Sequence, residues 1–188
     1  IHDLAKAEGM SVKMMNNPDF RVDYGTIVSC HMVRPEWDKP IVSISSNRSL
    51  SYYSVEVMQE MMLELGRSTI KAIENSGKKC LLLASNSLSH RHFVTETNPP
   101  EDMSKEHITS HAMHLWDMRM IELMREGKSK QIIDEMPEFC EQAISETDGG
   151  ALTWLLSAMG IPTEPAILHG YGTIIGTGNA IMEWPCRE

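Results

Sequence analysis

The chain has 188 residues, of which 41% are hydrophobic, and its formal net charge is -9 at neutral pH. This length fits one domain with a sizeable core. The acidic excess and the lack of a lysine and arginine cluster argue against a nucleic-acid-binding surface. No apolar stretch is long enough for a transmembrane helix. Four widely spaced cysteines without a C-x-x-C pair indicate neither a disulfide framework nor a zinc knuckle, and they favour the reducing cytoplasm.

In the first half of the chain the pattern alternates between helices and short strands. Residues 1–8 predict the end of a helix closed by Gly9, and residues 11–15 predict a short strand. A turn at 16–19 precedes a helix that begins at 23–26 and ends at Val33. Residues 41–45 predict a second strand. Apolar side chains at steps of three and four then predict a long helix ended by Gly77, with one face made of Val55, Met58, Met62, Leu65, Thr69 and Ala72.

Residues 80–84 are a wholly apolar run, typical of a strand buried on both faces. The order strand, helix, strand implies a right-handed crossover between parallel strands. The predicted fold class is therefore α/β, with a central mostly parallel or mixed sheet flanked by helices. Ligands of such sheets bind beyond the carboxyl ends of the strands, where His90 follows on a polar turn. An imidazole there could transfer protons near neutral pH, but this segment alone fits a simple turn residue equally well.

The second half is predicted to be mainly helical. A helix entry at 99–102 leads to a helix ending at Arg125, and a shorter helix over 129–136 is ended by Pro137. Residues 138–145 are again helical, 146–150 break the pattern, and 151–159 form the next helix. The glycine-rich tail predicts a strand, a turn and a short strand over 180–184.

Two candidate sites can be weighed from spacing alone. His107, His111 and His114 share one helix face, and zinc accepts nitrogen ligands at such spacings. Without an H-E-x-x-H signature, a half-exposed helix side that carries histidines by chance is the better interpretation. Glu146 lies between two predicted helices, and its position fits an acid that favours a helix N-terminus.

Several longer stretches, in a constant order, resemble one known family. They cover residues 17–26 (NPDFRVDYGT), 83–90 (LASNSLSH), 100–106 (PEDMSKE), 116–124 (WDMRMIELM), 170–173 (GYGT) and 178–184 (GNAIMEW). The chain resembles the class III extradiol ring-cleavage dioxygenases over essentially its whole length. Several long matches in the same order are more specific than one short motif.

The resemblance implies roles for three residues. His90, in the L-S-H turn, matches the acid/base histidine of the family. Glu146, shortly before a helix containing Trp154, matches the glutamate that holds iron(II) together with two histidines, an open facial triad suited to oxygen chemistry. Tyr24, in the aspartate-aromatic-glycine turn, is expected beside the substrate as a hydrogen-bond donor.

The resemblance also implies an activity. The expected reaction is oxidative cleavage of the ring of 2-aminophenol, or a related ortho-aminophenol or catechol, by O2 at non-haem iron(II). Multi-subunit members of the family pair a catalytic chain with an inactive relative, so a related non-catalytic alpha subunit is the expected partner, with no nucleic acid and no membrane. One alternative is that this chain is itself the non-catalytic subunit, although His90 and Glu146 argue against it. The other is a metal-dependent hydrolase that uses the helical histidines.

One departure from the family concerns the metal ligands. The two histidine ligands of the family lie in an N-terminal third that has no counterpart here, and no histidine of this chain takes a matching position. The expectation is therefore a single catalytic-type domain over residues 1–188 without that third. If Glu146 is the carboxylate of the triad, it should lie within one substrate's width of His90.

Overall fold

The computed structural model describes residues 1–45, 54–91, 102, 110–174 and 176–185. Six α-helices, one 3₁₀ turn and two strands are formed there. They are α1 (His2–Ala7), α2 (Tyr24–Val33), α3 (Val55–Ser76), α4 (His111–Arg125), α5 (Ser129–Ala143), the 3₁₀ turn Glu146–Gly149, α6 (Gly150–Ala158), β1 (Ile167–Ile174) and β2 (Thr177–Glu183). Within these ranges no helix has both the length and the apolar character needed to cross a bilayer.

Local capping explains why the helices of the first half begin and end where the sequence predicts. The Asp23 side chain accepts the N–H of Thr26 at 2.9 Å and so caps α2. The Ser54 hydroxyl accepts the N–H of Val57 at 3.4 Å at the start of α3. Gly77, in the left-handed conformation, ends that helix. The predicted bounds of both helices are confirmed.

The helix pair predicted on either side of Pro137 is in fact one helix. Pro137 lies inside α5, which is continuous over Ser129–Ala143. Proline removes one backbone hydrogen bond, but the apolar face continues across it and is buried, and that burial holds the two halves in line. The buried apolar residues of this face are Ile132, Met136, Phe139, Cys140 and Ala143. The prediction of two helices was wrong.

The start of α4 also differs from the prediction. Ser110 is its N-cap, and its hydroxyl accepts the N–H of Met113 at 3.5 Å. The predicted entry at 99–102 lies, apart from Asp102, outside the described residues. Where the structure describes α4, the helix begins at His111.

The core lies between α4, α5, α6 and the β-hairpin, and α3 packs against α6. Its centre contains Met120, Leu123, Ile132, Met136, Phe139 and Leu156. At the contact of α3 with α6, the Ser157 hydroxyl donates to the carbonyl of Leu63 at 2.6 Å. A Cβ at Gly66 would stand 2.5 Å from the Cβ of Ser157, so the close approach of the two helices depends on glycine there.

The sheet of the described residues is an antiparallel hairpin. Strands β1 and β2 pair from Ile167 opposite Glu183 to Ile174 opposite Thr177, with an irregularity between Leu168 and Gly170. This confirms the order of strand, turn and strand predicted for the glycine-rich tail, but the second strand runs over Thr177–Glu183 rather than 180–184.

The predicted central sheet is not confirmed. In the part of the chain that the structure describes, none of the residues 11–15, 41–45 and 80–84 belongs to a paired strand. Leu81 is 65% exposed and Val42 is 74% exposed, whereas both were expected in a core. A strand becomes part of a sheet only where another backbone pairs with it. The apolar pattern of a segment does not by itself supply such a partner.

Candidate active site

The turn that carries His90, residues 87–91, is joined by backbone hydrogen bonds to strand β2. The N–H of Leu88 donates to the carbonyl of Gly178 at 2.8 Å, and the N–H of Gly178 donates to the carbonyl of Ser89 at 3.0 Å. Ser87, Leu88 and Ser89 are buried, and His90 is half-buried. The 87–91 turn is thus fixed on one side by the C-terminal hairpin.

The segment that follows α5 holds the other side of the 87–91 turn. The N–H of Glu146 donates to the carbonyl of Leu88 at 3.3 Å, and the N–H of Ser87 donates to Oε2 of Glu146. The other carboxylate oxygen, Oε1, lies 3.7 Å from Nε2 of His90. The structure therefore brings the two predicted site residues side by side, although they are far apart in sequence.

Both side chains of this pair remain accessible. His90 is 25% exposed and Glu146 is 27% exposed. Their separation of 3.7 Å is longer than a hydrogen bond, and the two attract each other as ions only when the imidazole is protonated. The arrangement places an imidazole, a group able to transfer protons near neutral pH, beside a carboxylate, and both side chains are partly exposed.

Tyr24 lies at the beginning of α2, and its side chain is 78% exposed. The start of this helix is near the chain that leads into the 87–91 turn, because the Ser85 hydroxyl donates to the carbonyl of Gly25 at 3.4 Å. A ring so exposed is not held in a closed site. The role predicted for Tyr24 therefore stays a prediction.

Asp117 is a buried carboxylate directly behind the 87–91 turn, and the sequence interpretation missed it. It is 1% exposed and accepts the N–H of Ser89 on Oδ1 at 2.8 Å and the hydroxyl of Ser89 on Oδ2 at 2.8 Å. The hydroxyl of Tyr171 donates to Oδ2 at 2.7 Å. Burial raises the pKa of the Asp117 carboxyl, and these hydrogen bonds act in the opposite direction.

A signal for Asp117 was present in the sequence. The inward face of α4 carries Met113, Met120, Ile121 and Met124, and Asp117 falls on that same face at helical spacing. A carboxylate on an apolar face must find hydrogen-bond donors, which makes it a candidate for a structural or functional role.

The three histidines weighed as zinc ligands do not form a metal site in the described residues. His111 is exposed, and Nδ1 of His114 lies 3.3 Å from the hydroxyl of Tyr171. His107 lies outside the described residues. Throughout the ranges that the structure covers, no three or more His, Cys, Asp and Glu side chains are grouped to hold a metal ion. The hydrolase alternative therefore has no support from this part of the chain.

The same finding limits the iron site that the resemblance implies. Glu146 is accessible and has an oxygen directed toward His90, so it suits a single metal ligand. The other described residues do not complete a ligand set around it. Within the described residues, the donors that suit iron(II) at this site are therefore limited to the Glu146 carboxylate.

Comparison with known proteins identifies the family of the chain. The family model described as the catalytic LigB subunit of aromatic ring-opening dioxygenase matches residues 1–180. The chain is 54% identical over 94% of its length to the 2-aminophenol 1,6-dioxygenase beta subunit of a Pseudomonas species, and it covers 58% of that protein. It is 24% identical over 95% of its length to the alpha subunit of that enzyme, again from a Pseudomonas species, and covers 62% of it.

A third relative is named for a different substrate. The 3,4-dihydroxyphenylacetate 2,3-dioxygenase of Escherichia coli is 29% identical over 85% of this chain, which covers 55% of that protein. The chain thus spans less than two thirds of the length of each of these relatives. The family match extends over nearly the whole chain and confirms the predicted resemblance: the chain belongs to the LigB family of aromatic ring-opening dioxygenases.

Proposed function

We propose that this chain carries the acid/base site of a dioxygenase that cleaves the aromatic ring of 2-aminophenol, or of a related ortho-aminophenol or catechol, with O2. The observation that carries the proposal is the pairing of Nε2 of His90 with Oε1 of Glu146 at 3.7 Å. The 54% identity to a 2-aminophenol 1,6-dioxygenase beta subunit supports the choice of substrate.

His90 acts as the general acid/base. It accepts the proton of the ring hydroxyl at Nε2 and returns it later in the reaction. Its position supports this role, because the imidazole is accessible while the backbone on both sides of it is held by hydrogen bonds to β2 and to the segment after α5. A fixed proton acceptor does not have to be reoriented at each turnover.

Glu146 supplies one ligand to iron(II), and the remaining ligands come from outside the described residues. The N–H of Ser87 binds Oε2 of the carboxylate, so Oε1 is aimed toward His90 and the accessible space. Bound there, the iron would supply dioxygen activation and a place for the substrate to chelate. Tyr24 donates a hydrogen bond to the substrate or to oxygen.

The fold and the assembly of the whole protein are part of the same proposal. A central sheet that pairs residues 41–45 and 80–84 is supported by the exposed apolar side chains there, such as Val42 and Leu81, which a paired and covered strand would bury. A related alpha subunit as partner is supported by the alpha and beta relatives that the chain matches. The protein is expected to work in the cytoplasm.

The replacement His90→Ala tests the proposal. In the protein at its whole encoded length, assembled with its partner subunit, iron content should be unchanged, because His90 is not a ligand. Oxygen uptake with 2-aminophenol should fall by about two to four orders of magnitude, the usual span for a lost general acid/base. A decrease of less than about tenfold would show that His90 is a turn residue and that the proposal is wrong.

The surface pair of His169 and Glu183 provides a matched control. Nε2 of His169 lies 2.7 Å from Oε2 of Glu183 on the hairpin, and both side chains are about half exposed. His169→Ala should leave oxygen uptake unchanged. Glu146→Ala should lose iron, and retention of the metal in that variant would remove Glu146 from the ligand set.

A further inference from the structure

One buried charged group has no part in the reaction proposed above. We infer that Asp117 is a positioning residue for His90, because it holds both polar groups of Ser89 and so fixes the conformation of the 87–91 turn. This inference rests on the proposed function, in which His90 transfers protons. Asp117 itself is fully buried behind the turn and acts only through Ser89.

Asp117 binds Ser89 through both of its carboxylate oxygens. Oδ1 of Asp117 accepts the backbone N–H of Ser89, and Oδ2 accepts its hydroxyl, both at 2.8 Å. Hydrogen bonds to an ionised acceptor are stronger than those between neutral groups. Two of them to one residue fix the peptide plane as well as the side chain. His90 is the next residue, so its direction follows from the orientation of Ser89.

The surroundings of Asp117 hold the carboxylate itself in place. The hydroxyl of Tyr171 is a third donor, at 2.7 Å from Oδ2, and it lies 3.3 Å from Nδ1 of His114. On the opposite side, Gly178 of β2 leaves just enough space. A Cβ added there would overlap Oδ2 and stand 2.9 Å from the hydroxyl oxygen of Ser89.

A carboxylate at this position in the core lowers the stability of the fold relative to an apolar side chain. Burial disfavours a charge, and within the described part of the chain no lysine or arginine pairs with Asp117. A basic side chain nearby is His114, whose Nδ1 lies 3.3 Å from the Tyr171 hydroxyl that Asp117 binds. The other neighbours of Asp117 on the inward face of α4 are apolar. Apolar packing alone would be served better by leucine or methionine, so the carboxylate is better explained by its two bonds to the turn.

The test measures kcat and KM for ring cleavage in Asp117→Ala, in Ser89→Ala and in the double variant. Asp117→Ala should lower kcat by about tenfold to a hundredfold, the scale of a small misplacement of a catalytic group. KM should change by less than about threefold, because neither side chain is placed against substrate. Ser89→Ala should lower kcat by a smaller factor, since it removes one of the two bonds.

The double variant separates positioning from general weakening of the fold. Because the Ser89 hydroxyl acts through Asp117, Ser89→Ala should have little further effect on kcat once Asp117 is alanine. Full additivity of the two effects would overturn the inference. So would a kcat within twofold of the unmodified protein in either single variant.

Thr69→Val is the matched stability control. Thr69 is fully buried between α3 and α6, where its hydroxyl donates to the carbonyl of Leu65 at 2.7 Å and accepts from Nε1 of Trp154 at 3.1 Å. This variant should unfold at a lower temperature with kcat unchanged. A drop in kcat as large as that of Asp117→Ala would show that any loss of stability slows the reaction, and it would overturn the inference.

Two further arms keep the result decisive. Asp117→Asn retains an acceptor for the N–H of Ser89 and should recover a large part of kcat relative to alanine. If the alanine variant fails to fold, Asp117→Asn and Ser89→Ala carry the test, and an unchanged kcat in Ser89→Ala overturns the inference.

If His90→Ala leaves turnover intact, the proposed function has failed. If His90→Ala abolishes turnover while Ser89→Ala does not affect it, only the positioning role has failed.

Discussion

Adding one methyl group at Gly178 probes the packing behind the 87–91 turn. The backbone of Gly178 cannot easily move, because it exchanges hydrogen bonds of 2.8 and 3.0 Å with Leu88 and Ser89. The new Cβ would overlap Oδ2 of Asp117, stand 2.8 Å from its Cγ, and stand 2.9 Å from the hydroxyl oxygen of Ser89. In Gly178→Ala the carboxylate therefore has to leave its position.

The expected cost follows from the bonds that the carboxylate makes. Among the described residues, Asp117 accepts three hydrogen bonds, two from Ser89 and one from Tyr171. A hydrogen bond to a charged group contributes about 1.5–3 kcal/mol, but bonds to one acceptor are not additive. Losing at least two of these bonds and leaving the buried charge with unmet hydrogen bonds should together cost about 3–5 kcal/mol. We expect Gly178→Ala to lower the free energy of unfolding by that amount, a large share of the about 5–15 kcal/mol of an ordinary domain.

A double-mutant cycle in urea shows whether the methyl group acts through the carboxylate. With Asp117→Ala in place the carboxylate is absent and the Ser89 hydroxyl, 2.9 Å from the new Cβ, can rotate away, so Gly178→Ala should then cost less than about 1 kcal/mol. Gly170→Ala in β1 is the matched control: nothing lies within 4 Å of its added Cβ, and its effect should stay within about 0.5 kcal/mol. An equal cost of Gly178→Ala in both backgrounds would refute the reasoning.

Three further predictions concern other parts of the molecule. Tyr24→Phe should retain the fold and lower kcat/KM about two- to tenfold through one lost hydrogen bond, and unchanged steady-state kinetics would remove Tyr24 from the site. Gly66→Ala should lower the free energy of unfolding by about 1–3 kcal/mol, because the new Cβ would stand 2.5 Å from the Cβ of Ser157. This loss outweighs the better helix propensity of alanine, and thermal unfolding at a higher temperature would contradict it. The Arg119 guanidinium, bonded to Glu135 at 2.8 Å, holds the pKa of that carboxyl below its usual range. The pair therefore stabilises the folded protein at pH values above the pKa that Glu135 has in the unfolded chain. This stabilisation is lost as the pH falls through the lower pKa of Glu135 in the folded protein. Glu135→Gln should lower the free energy of unfolding by less than about 1 kcal/mol at neutral pH, because solvent screens the pair, and should not change it in acid. A loss of stability that is independent of pH in urea titrations would contradict this.

Local signals in the sequence predicted most of the helix ends. Asp23 and Gly77 mark where α2 begins and α3 ends, because capping depends on a few adjacent residues. Pro137 misled the interpretation, since its local cost is overcome by an apolar face that packs over the whole length of α5. The apolar run at 80–84 predicts a strand, but whether another strand pairs with it depends on distant residues, which the run itself does not specify.

The candidate site was predictable only through the resemblance. Spacing alone assigned His90 to an ordinary turn as readily as to catalysis, and it favoured a helix-end role for Glu146. Their approach to 3.7 Å depends on the backbone hydrogen bonds that join 87–91 to the segment after α5. Asp117 was not predicted as a site residue, because its hydrogen-bond donors, Ser89 and Tyr171, belong to distant parts of the chain.

The way the 87–91 turn is joined to the rest of the chain has a consequence for when it forms. Its backbone partners are Ala143 and Glu146 on one side and Gly176 and Gly178 on the other, so every one of these contacts closes a long loop. Such contacts form slowly and late, and in a chain synthesised from its N-terminus they must wait for the hairpin to emerge. In hydrogen exchange, the amide of Gly178 should become protected among the last of the molecule during refolding.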